Sequence, residues 1–385
     1  MNMKKYVFGL TLMMGATLLT GCIKDSENSN KPYEFTITEG LLVVNNGNVA
    51  NGIDGSLSFL DFVNETTQQN VYKTANGASL GGTPNDVIHY GHKIYVVGSD
   101  ENTIFVLNAK TFKEIKKIST TEILGEAEGT NPRHMTAYNG RVYVSTYGGY
   151  VAEIDTVGFT MTRSFKVGSV PEGLGIGLSL DGNTAKLYVA NSDYGNGNGS
   201  ISTIDLGTGS VTEFKHELIR NPQEILASAE VIYVLDYGYY DMNDNWLQKE
   251  AGVYMIYNNT VTKIIPDATG MAGVGNSIVT FNAPYGSSTT TYSVFNTRTG
   301  ILSAFSPKGD SDRPVFSPCA IAIDANTYNV MIASRPKDPD TGYPSYAMPG
   351  YVNIYTSAGN YVGTYEAGVE PHKIEFSYGT TTLQQ

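Results

Sequence analysis

A repeating pattern of apolar runs and short turns extends along most of this chain and limits the folds open to it. In the copy at 171–209, an apolar run follows Pro171, a second lies at Leu187–Ala190, and an alternating strand at Ser200–Asp205 follows a loop rich in Gly and Asn. This order is typical of an antiparallel meander. Prolines open successive copies at intervals of 39 to 53 residues, with one interval of 96 where a copy near Met271–Phe281 lacks its proline: Pro84, Pro132, Pro171, Pro222, Pro318 and Pro371. The chain therefore holds seven copies.

Each copy supplies four strands, so we predict an all-β fold, a seven-bladed β-propeller with four antiparallel strands per blade. A parallel β-helix is the alternative, but its repeats are shorter and lack these hairpin turns. The repeat begins at a second strand, Leu41–Asn45, and ends at a first strand, Pro371–Phe376. We therefore expect the N- and C-terminal strands to share one blade, which would remove exposed sheet edges.

The N-terminal residues have the features of a bacterial lipoprotein signal. Met1–Lys5 is basic, and the apolar stretch Tyr6–Leu19 is too short for a membrane span. Leu19-Thr20-Gly21-Cys22 has the form of a lipobox. We predict a signal peptide at 1–21, a tether at 22–35 that starts at a lipidated Cys22, and the propeller at 36–385. A signal peptide that ends at a chance cysteine is the alternative.

Charge and cysteine content exclude several classes of protein. The chain has 25 Lys and Arg against 37 Asp and Glu, a net charge of −12, and loss of Lys4 and Lys5 with the signal peptide would leave −14. Nucleic acid and anionic membrane surfaces are therefore not expected partners. After lipidation of Cys22 only Cys319 keeps a thiol, so no internal disulfide can form, and we expect Cys319 to be a small core residue.

The long connections of the repeat fall on one predicted face. In a meander, the second-to-third loops emerge on the same side as the fourth-to-first loops. The turns predicted on the opposite side are short, whereas the second-to-third connections include 45–55, 191–199, 236–252, 282–291 and 334–350. Long loops on a rigid scaffold usually carry recognition residues. We therefore expect the binding site on this side, which we call the loop face.

Aromatic residues concentrate in these connections. Tyrosine and tryptophan offer rigid amphipathic contact area, and the neighbouring Asn, Ser and Gly offer adaptable polar contacts. For any single tyrosine, packing within its own loop is the alternative. The candidate ligand-binding residues of the loops are Tyr147, Tyr194, Tyr237, Tyr239, Tyr240, Trp246, Tyr285, Arg335, Tyr343 and Tyr346.

A second set of candidates lies at or next to the start of the first strands, where we expect the mouth of the central channel. Such a ring of mixed charge can bind a polar ligand or can neutralise itself through ion pairs. The residues are Asp86, Arg133, His134, Glu172, Glu224 and His372, with Arg220 shortly before its proline.

Catalytic motifs are absent from the sequence, so we do not expect an enzyme. There is no HExxH, GxSxG or phosphate-binding Gly-Lys-Ser/Thr motif. Asp241–Asn245 begins like a calcium loop, but Trp246 replaces the glycine and Gly252 the glutamate that such a loop needs. We expect no cofactor, and calcium is the alternative. A lactonase- or lyase-like enzyme would hold a channel metal with Asp86, Glu172, Glu224 and a histidine.

The segment YVAN followed by SISTID resembles the YVTN-type propeller repeat. Together with the lipobox, the tether, seven blades and Tyr-rich loops, it makes the chain similar to the BtuG family of Bacteroides surface lipoproteins. Lys24, Asp25 and Glu27 resemble the surface-export signal of Bacteroidota. The resemblance implies a lipid-anchored protein on the outer membrane that captures vitamin B12, a corrinoid, and passes it to a TonB-dependent, BtuB-like receptor.

The residue chemistry is compatible with such a ligand. Aromatic side chains can cover the macrocycle, amide and backbone groups can meet its peripheral amides, and Arg133 or Arg220 can meet its phosphate. A ferric siderophore or a glycan would use the same aromatic residues and is the alternative within the binding class. A structural surface-layer module would bind no small molecule.

Overall fold

The computed structural model describes residues 33–179, 182–228, 230–287, 289–309 and 312–383. The predicted signal peptide, Cys22 and residues 23–32 of the tether lie outside these ranges. Residues 36–379 form one compact unit, built from seven four-stranded antiparallel sheets. The prediction of a seven-bladed β-propeller is confirmed. No helix in the described ranges is long and apolar enough to cross a membrane.

Six blades are continuous in sequence, and the seventh combines both ends of the chain. The first strands of most neighbouring blades contact one another and surround the central channel. Blade 7 takes Tyr33–Asn45 (β1), Ser56–Asp61 (β2) and Thr66–Gln68 (β3). Blade 1 has Pro84–Tyr90 (β4), Lys93–Gly98 (β5), Thr103–Asn108 (β6) and Glu114–Ser119 (β7). Blade 2 has Pro132–Tyr138 (β8), Arg141–Thr146 (β9), Tyr150–Asp155 (β10) and Met161–Lys166 (β11). Blade 3 has Pro171–Leu178 (β12), Ala185–Asn191 (β13), Ser200–Asp205 (β14) and Val211–Phe214 (β15).

The remaining blades follow the same plan, except that blade 4 carries an extra hairpin between its second and third strands. Blade 4 has Pro222–Ser228 (β16), Val231–Asp236 (β17), the hairpin Tyr239–Asp241 (β18) and Leu247–Lys249 (β19), Gly252–Tyr257 (β20) and Thr260–Pro266 (β21). Blade 5 has Gly270–Val274 (β22), Ser277–Asn282 (β23), Thr291–Asn296 (β24) and Ile301–Ala304 (β25). Blade 6 has Ser317–Ile323 (β26), Val330–Arg335 (β27), Pro349–Tyr355 (β28) and Tyr361–Val369 (β29), and Pro371–Leu383 (β30) completes blade 7.

Short helices occur only in connections of the described chain. Val71–Asn76 (α1) and Thr120–Leu124 (α2) lie in two fourth-to-first connections. Single 3-10 turns lie at Val49–Asn51 and Asp193–Gly195, within two second-to-third connections.

The core lies between blades, which explains why the second strands are apolar on both sides. In β1, Leu41 and Val43 pack with residues of blade 6, while Leu42 and Val44 pack with residues of blade 1. Seven such clusters occur among the described residues, one between each pair of neighbouring blades. Each buried Val or Leu stabilises the fold by about 2 kcal/mol relative to exposure. The ring is therefore held together at every blade boundary.

The two irregular points of the repeat are as predicted. β30 pairs with β1 in the sheet order β3-β2-β1-β30, so both ends of the chain close one blade. β22 begins at Gly270 in place of a proline. A Cβ at this position would lie 2.0 Å from Cε1 of Phe281, so the phenyl ring leaves no space for a side chain there.

Candidate functional site

Loops of neighbouring blades contact one another in pairs on the loop face. The rings of Tyr147 and Tyr194, from blades 2 and 3, meet edge to face with centroids 5.1 Å apart. The rings of Tyr240 and Tyr285, from blades 4 and 5, do the same at 6.0 Å. Asn48 of blade 7 donates from Nδ2 to the carbonyl of Tyr346 in blade 6 at 2.8 Å. The long second-to-third connections therefore lie together on one side, as the sequence predicts.

Buried asparagines anchor the base of three of these loops. Asn191, the last residue of β13, donates from Nδ2 to the hydroxyls of Ser200 and Ser202 at 3.0 Å each. Asn45 makes the same contacts with Ser56 and Ser58 in blade 7, and Asn282 with Thr291 and Ser293 in blade 5. The amide thus joins the two strands where the loop leaves the sheet. An Asn at the end of a second strand, with alternating hydroxyl residues at the start of the third, is a sequence signal for this anchor.

Six of the predicted aromatic residues are exposed on the loop face, with between 42% and 74% of their surface accessible: Tyr194, Tyr240, Trp246, Tyr285, Tyr343 and Tyr346. Tyr147 and Tyr239 are half-buried. Tyr237 packs against the core cluster between blades 4 and 5 and lines the central channel, so packing accounts for part of its role.

The hairpin β18–β19 is the part of the loop face that the sequence did not predict. Gln248 in β19 fastens it to blade 5 through a reciprocal pair of hydrogen bonds. The backbone N–H of Gln248 donates to the carbonyl of Tyr285 at 2.9 Å, and the N–H of Tyr285 donates to Oε1 of Gln248 at 3.0 Å. Tyr240 and Tyr285 are thereby held against each other.

The calcium-like segment is occupied by a lysine. Nζ of Lys249 lies 2.7 Å from Oδ2 of Asp241 and 3.0 Å from Oδ2 of Asp244. The hydrogen bond from Lys249 lowers the pKa of Asp241 below its ordinary value. Within the described ranges, no group of three or more His, Cys, Asp or Glu side chains is arranged to hold a metal ion.

Arginines on the loop face recur in one arrangement, with the guanidinium over a tyrosine ring and an acidic partner beside it. In this arrangement the guanidinium contacts the ring face and the carboxylate at the same time, which favours one position of the arginine side chain. The sets are Arg133 with Tyr147 and Glu172, Arg220 with Tyr239 and Glu250, Arg335 with Tyr346 and Glu370, and Arg313 with Tyr351 and Glu366. The acidic partners Glu250, Glu366 and Glu370 were not among the predicted site residues.

Part of the ring at the channel mouth neutralises itself. Oε2 of Glu172 accepts from Nε of Arg133 at 2.8 Å, and Oε1 accepts from the Tyr147 hydroxyl at 2.7 Å. Oδ2 of Asp86 accepts from the backbone N–H of Met135 at 2.7 Å and lies 3.6 Å from Nδ1 of His134. These carboxylates are therefore committed to protein partners.

The pKa values of His372 and Lys373, which line the same channel, are shifted in opposite directions. Burial, together with the neighbouring His134, Arg133 and Lys373, lowers the pKa of His372 to about 3, so its imidazole is neutral near pH 7. Burial alone would lower the pKa of Lys373, but Asp86 and Glu224 raise it above its ordinary value. Nζ of Lys373 lies 4.0 Å from Oδ1 of Asp86. The ammonium therefore stays charged.

The channel opens on the loop side into a cavity of about 240 Å³. Arg133, His134, Glu224, Tyr237 and His372 line it, which brings five of the predicted residues together. Cys319 also lines it and packs against the core between blades 6 and 7, as expected of a small core residue. Burial raises the pKa of its thiol to about 12, which suppresses thiolate chemistry.

Comparison with known proteins supports the fold and leaves the ligand open. Residues 39–213 match the sequence model of a family described as a domain of unknown function, DUF5074. No curated protein matches the chain. A solved structure of Kuenenia stuttgartiensis hydrazine synthase is similar over 71% of this chain and 76% of its own, with 16% identity and a TM-score of 0.51. The designed protein Ika8 aligns over 76% of this chain and 95% of its own, with 13% identity and a TM-score of 0.45. The similarity to hydrazine synthase concerns the fold alone.

Proposed function

We propose that this protein is a lipid-anchored capture protein of the outer membrane that binds a corrinoid on its loop face and delivers it to a TonB-dependent receptor. The observation that carries the proposal is the set of exposed aromatic residues on the loop face, with ring contacts between loops of neighbouring blades at Tyr147–Tyr194 and Tyr240–Tyr285. The lipobox at Leu19–Cys22 and the resemblance to the BtuG family support the anchor, the surface location and the choice of ligand.

The composition of the face suits a large rigid ligand with an apolar ring and amide edges. Trp246, Tyr240 and Tyr285 offer flat apolar area, and the amide side chain of Asn48 lies beside a fourth exposed aromatic residue, Tyr346. Arg220 is the more exposed of the two arginines considered for a phosphate, with 39% of its side chain accessible against 19% for Arg133. Loops already held by hydrogen bonds and ring contacts lose little entropy on binding, which favours high affinity.

Calorimetric titration of the soluble protein, starting after Cys22, with cyanocobalamin tests the proposal. We expect saturable one-to-one binding, and no binding of a ferric siderophore or an oligosaccharide. Replacing Trp246 or Tyr285 by Ala should weaken corrinoid binding by about tenfold or more, because exposed aromatic anchors dominate such interfaces. Tyr257→Ala is the matched control, since Tyr257 is comparably exposed but lies at the end of β20, next to a turn on the opposite side.

The outcomes separate the alternatives. Absence of corrinoid binding would refute the proposed ligand and leave the propeller unaffected. Equal losses in Trp246→Ala and Tyr257→Ala would show that the loop face is not the site. Protease treatment of intact cells, compared between wild type and Cys22→Ala, tests the proposed surface anchoring.

A further inference from the structure

Three polar side chains at the channel mouth lack the protein partners that the rest of the ring has. Glu224, Tyr237 and His372 all line the cavity of about 240 Å³. In the part of the chain that the structure describes, the side chains of these three residues make no hydrogen bond and no ion pair within 4.0 Å with another residue, and the Gln248 amide donates only to the backbone carbonyl of Tyr237. By contrast, Glu172 and Asp86 next to them are fully engaged.

Apolar residues complete the wall between these polar groups. Glu224 and Tyr237 belong to blade 4 and His372 to blade 7, and blades 5 and 6 lie between them in the ring. These two blades contribute Met271, Phe281, Ala320 and Ile321 to the lining. The cavity thus suits a group with a polar end on a short apolar stem.

Charges of both signs line the cavity, so an ionised ligand group of either sign would face a like charge there: a carboxylate would face Glu224, and an ammonium would face Lys373 and Arg133. Arg133 and Lys373 already face Glu172 and Asp86, which partly offsets their attraction for a ligand carboxylate. A neutral imidazole at His372 offers one donor and one acceptor, while Glu224 offers acceptors alone. A neutral group with two N–H donors and one carbonyl acceptor matches this set.

We propose that a primary carboxamide arm of the ligand enters the channel mouth, with its N–H groups donating to Glu224 and its carbonyl accepting from His372 or Tyr237. This inference rests on the proposed function, since corrinoids carry several such arms around the macrocycle. It adds a site within the channel to the aromatic surface of the loop face, and it assigns Glu224 the role of selecting amide over acid.

Corrinoids in which one peripheral amide has been hydrolysed to a carboxylate test the proposal on the wild-type protein. Among the separated monoacid isomers, we expect one to bind more than about tenfold more weakly than cyanocobalamin at pH 7.5, because it would place like charges together. Glu224→Gln should restore most of this loss while changing cyanocobalamin affinity by less. Glu366→Gln, which removes a carboxylate outside the cavity, should restore nothing. Equal binding of all isomers by the wild type would overturn the proposal.

A second experiment uses no corrinoid and distinguishes failure of the amide site from failure of corrinoid capture. Propionamide and propionate are titrated at millimolar concentration while the imidazole signal of His372, assigned with His372→Gln, is followed by NMR. We expect a saturable shift with propionamide alone in the wild type and a response to propionate in Glu224→Gln. Such a result without any cyanocobalamin binding would refute corrinoid capture and keep the amide site. No shift with propionamide would overturn the amide site even when cyanocobalamin binds.

Discussion

Replacing Glu172 by Gln tests whether the ring at the channel mouth stabilises the fold. Glu172 has only 4% of its side chain exposed, and Arg133, its partner at 2.8 Å, has 19%. The second carboxylate oxygen accepts from Tyr147, whose ring lies 4.8 Å from the Arg133 guanidinium. The substitution keeps the shape of the side chain and one acceptor oxygen, but it removes the charge that Arg133 faces.

The expected cost follows from burial. Breaking a fully buried ion pair costs about 3–5 kcal/mol, because the remaining charge has no partner. Arg133 keeps some contact with water, and the substituted amide would still accept one hydrogen bond, so we expect a loss of about 2 kcal/mol in the free energy of unfolding. The pair Arg313–Glu366 has the same arrangement over a tyrosine but is exposed at 39% and 71%. Glu366→Gln should therefore cost less than about 1 kcal/mol.

Urea denaturation of both variants measures the difference. The slope of the transition should stay as in the wild type, so that a shift in its midpoint reports stability. Equal midpoints for Glu172→Gln and Glu366→Gln would refute the reasoning, because burial would then have no effect on how much an ion pair contributes to the free energy of unfolding.

Two further predictions concern the carboxylates of Glu375 and Asp236. Burial raises the pKa of Glu375 from 4.5 to about 7. Between these two pH values the unfolded chain loses this proton more readily than the folded protein does. The free energy of unfolding is therefore highest below pH 4.5 and falls as the pH rises to 7. Glu375→Gln keeps an oxygen that accepts the His89 N–H but cannot ionise, so this decrease, up to about 3 kcal/mol, should be absent from the variant. Urea midpoints between pH 5 and 8 that depend on pH as in the wild type would contradict this prediction. Asp236→Ala leaves the backbone N–H groups of Arg220, Asn221 and Gly238 without their buried acceptor and should lower the free energy of unfolding by about 3 kcal/mol. A denaturant midpoint equal to that of the wild type would show that water replaces the carboxylate.

The sequence predicts the blade framework well because each strand is specified locally. The apolar second strands, such as Leu41–Asn45, and the prolines that begin first strands recur at fixed places within each copy. Pattern and turn chemistry then determine which strands pair, and closure follows from where the chain enters and leaves the repeat. For the same reason, the position of His134 and His372 at the channel mouth was predictable.

The pairings of the site residues were not predictable, since the two members of each pair lie far apart along the chain. Arg133 in blade 2 meets Glu172 in blade 3, and Arg335 in blade 6 meets Glu370 in the connection to blade 7. Such pairs depend on how neighbouring strands and loops pack in three dimensions, which the local sequence pattern does not encode. The hairpin β18–β19 was missed because its strands are only three residues long, and its contact with Tyr285 in blade 5 helps to hold it.

Closure of the ring and order of the loop face depend on the same residues. Glu370, between β29 and β30, accepts at its backbone carbonyl from the N–H of Asn46 at 2.8 Å, which ties the two chain ends together. Its side chain accepts from Nε of Arg335 at 2.6 Å, and the Arg335 guanidinium covers the ring of Tyr346. The backbone carbonyl of Tyr346 in turn accepts from Nδ2 of Asn48, in the connection between β1 and β2. A change that opens blade 7 would therefore also remove contacts that hold Tyr346, so we expect closure of the ring to help order the loop face in this region.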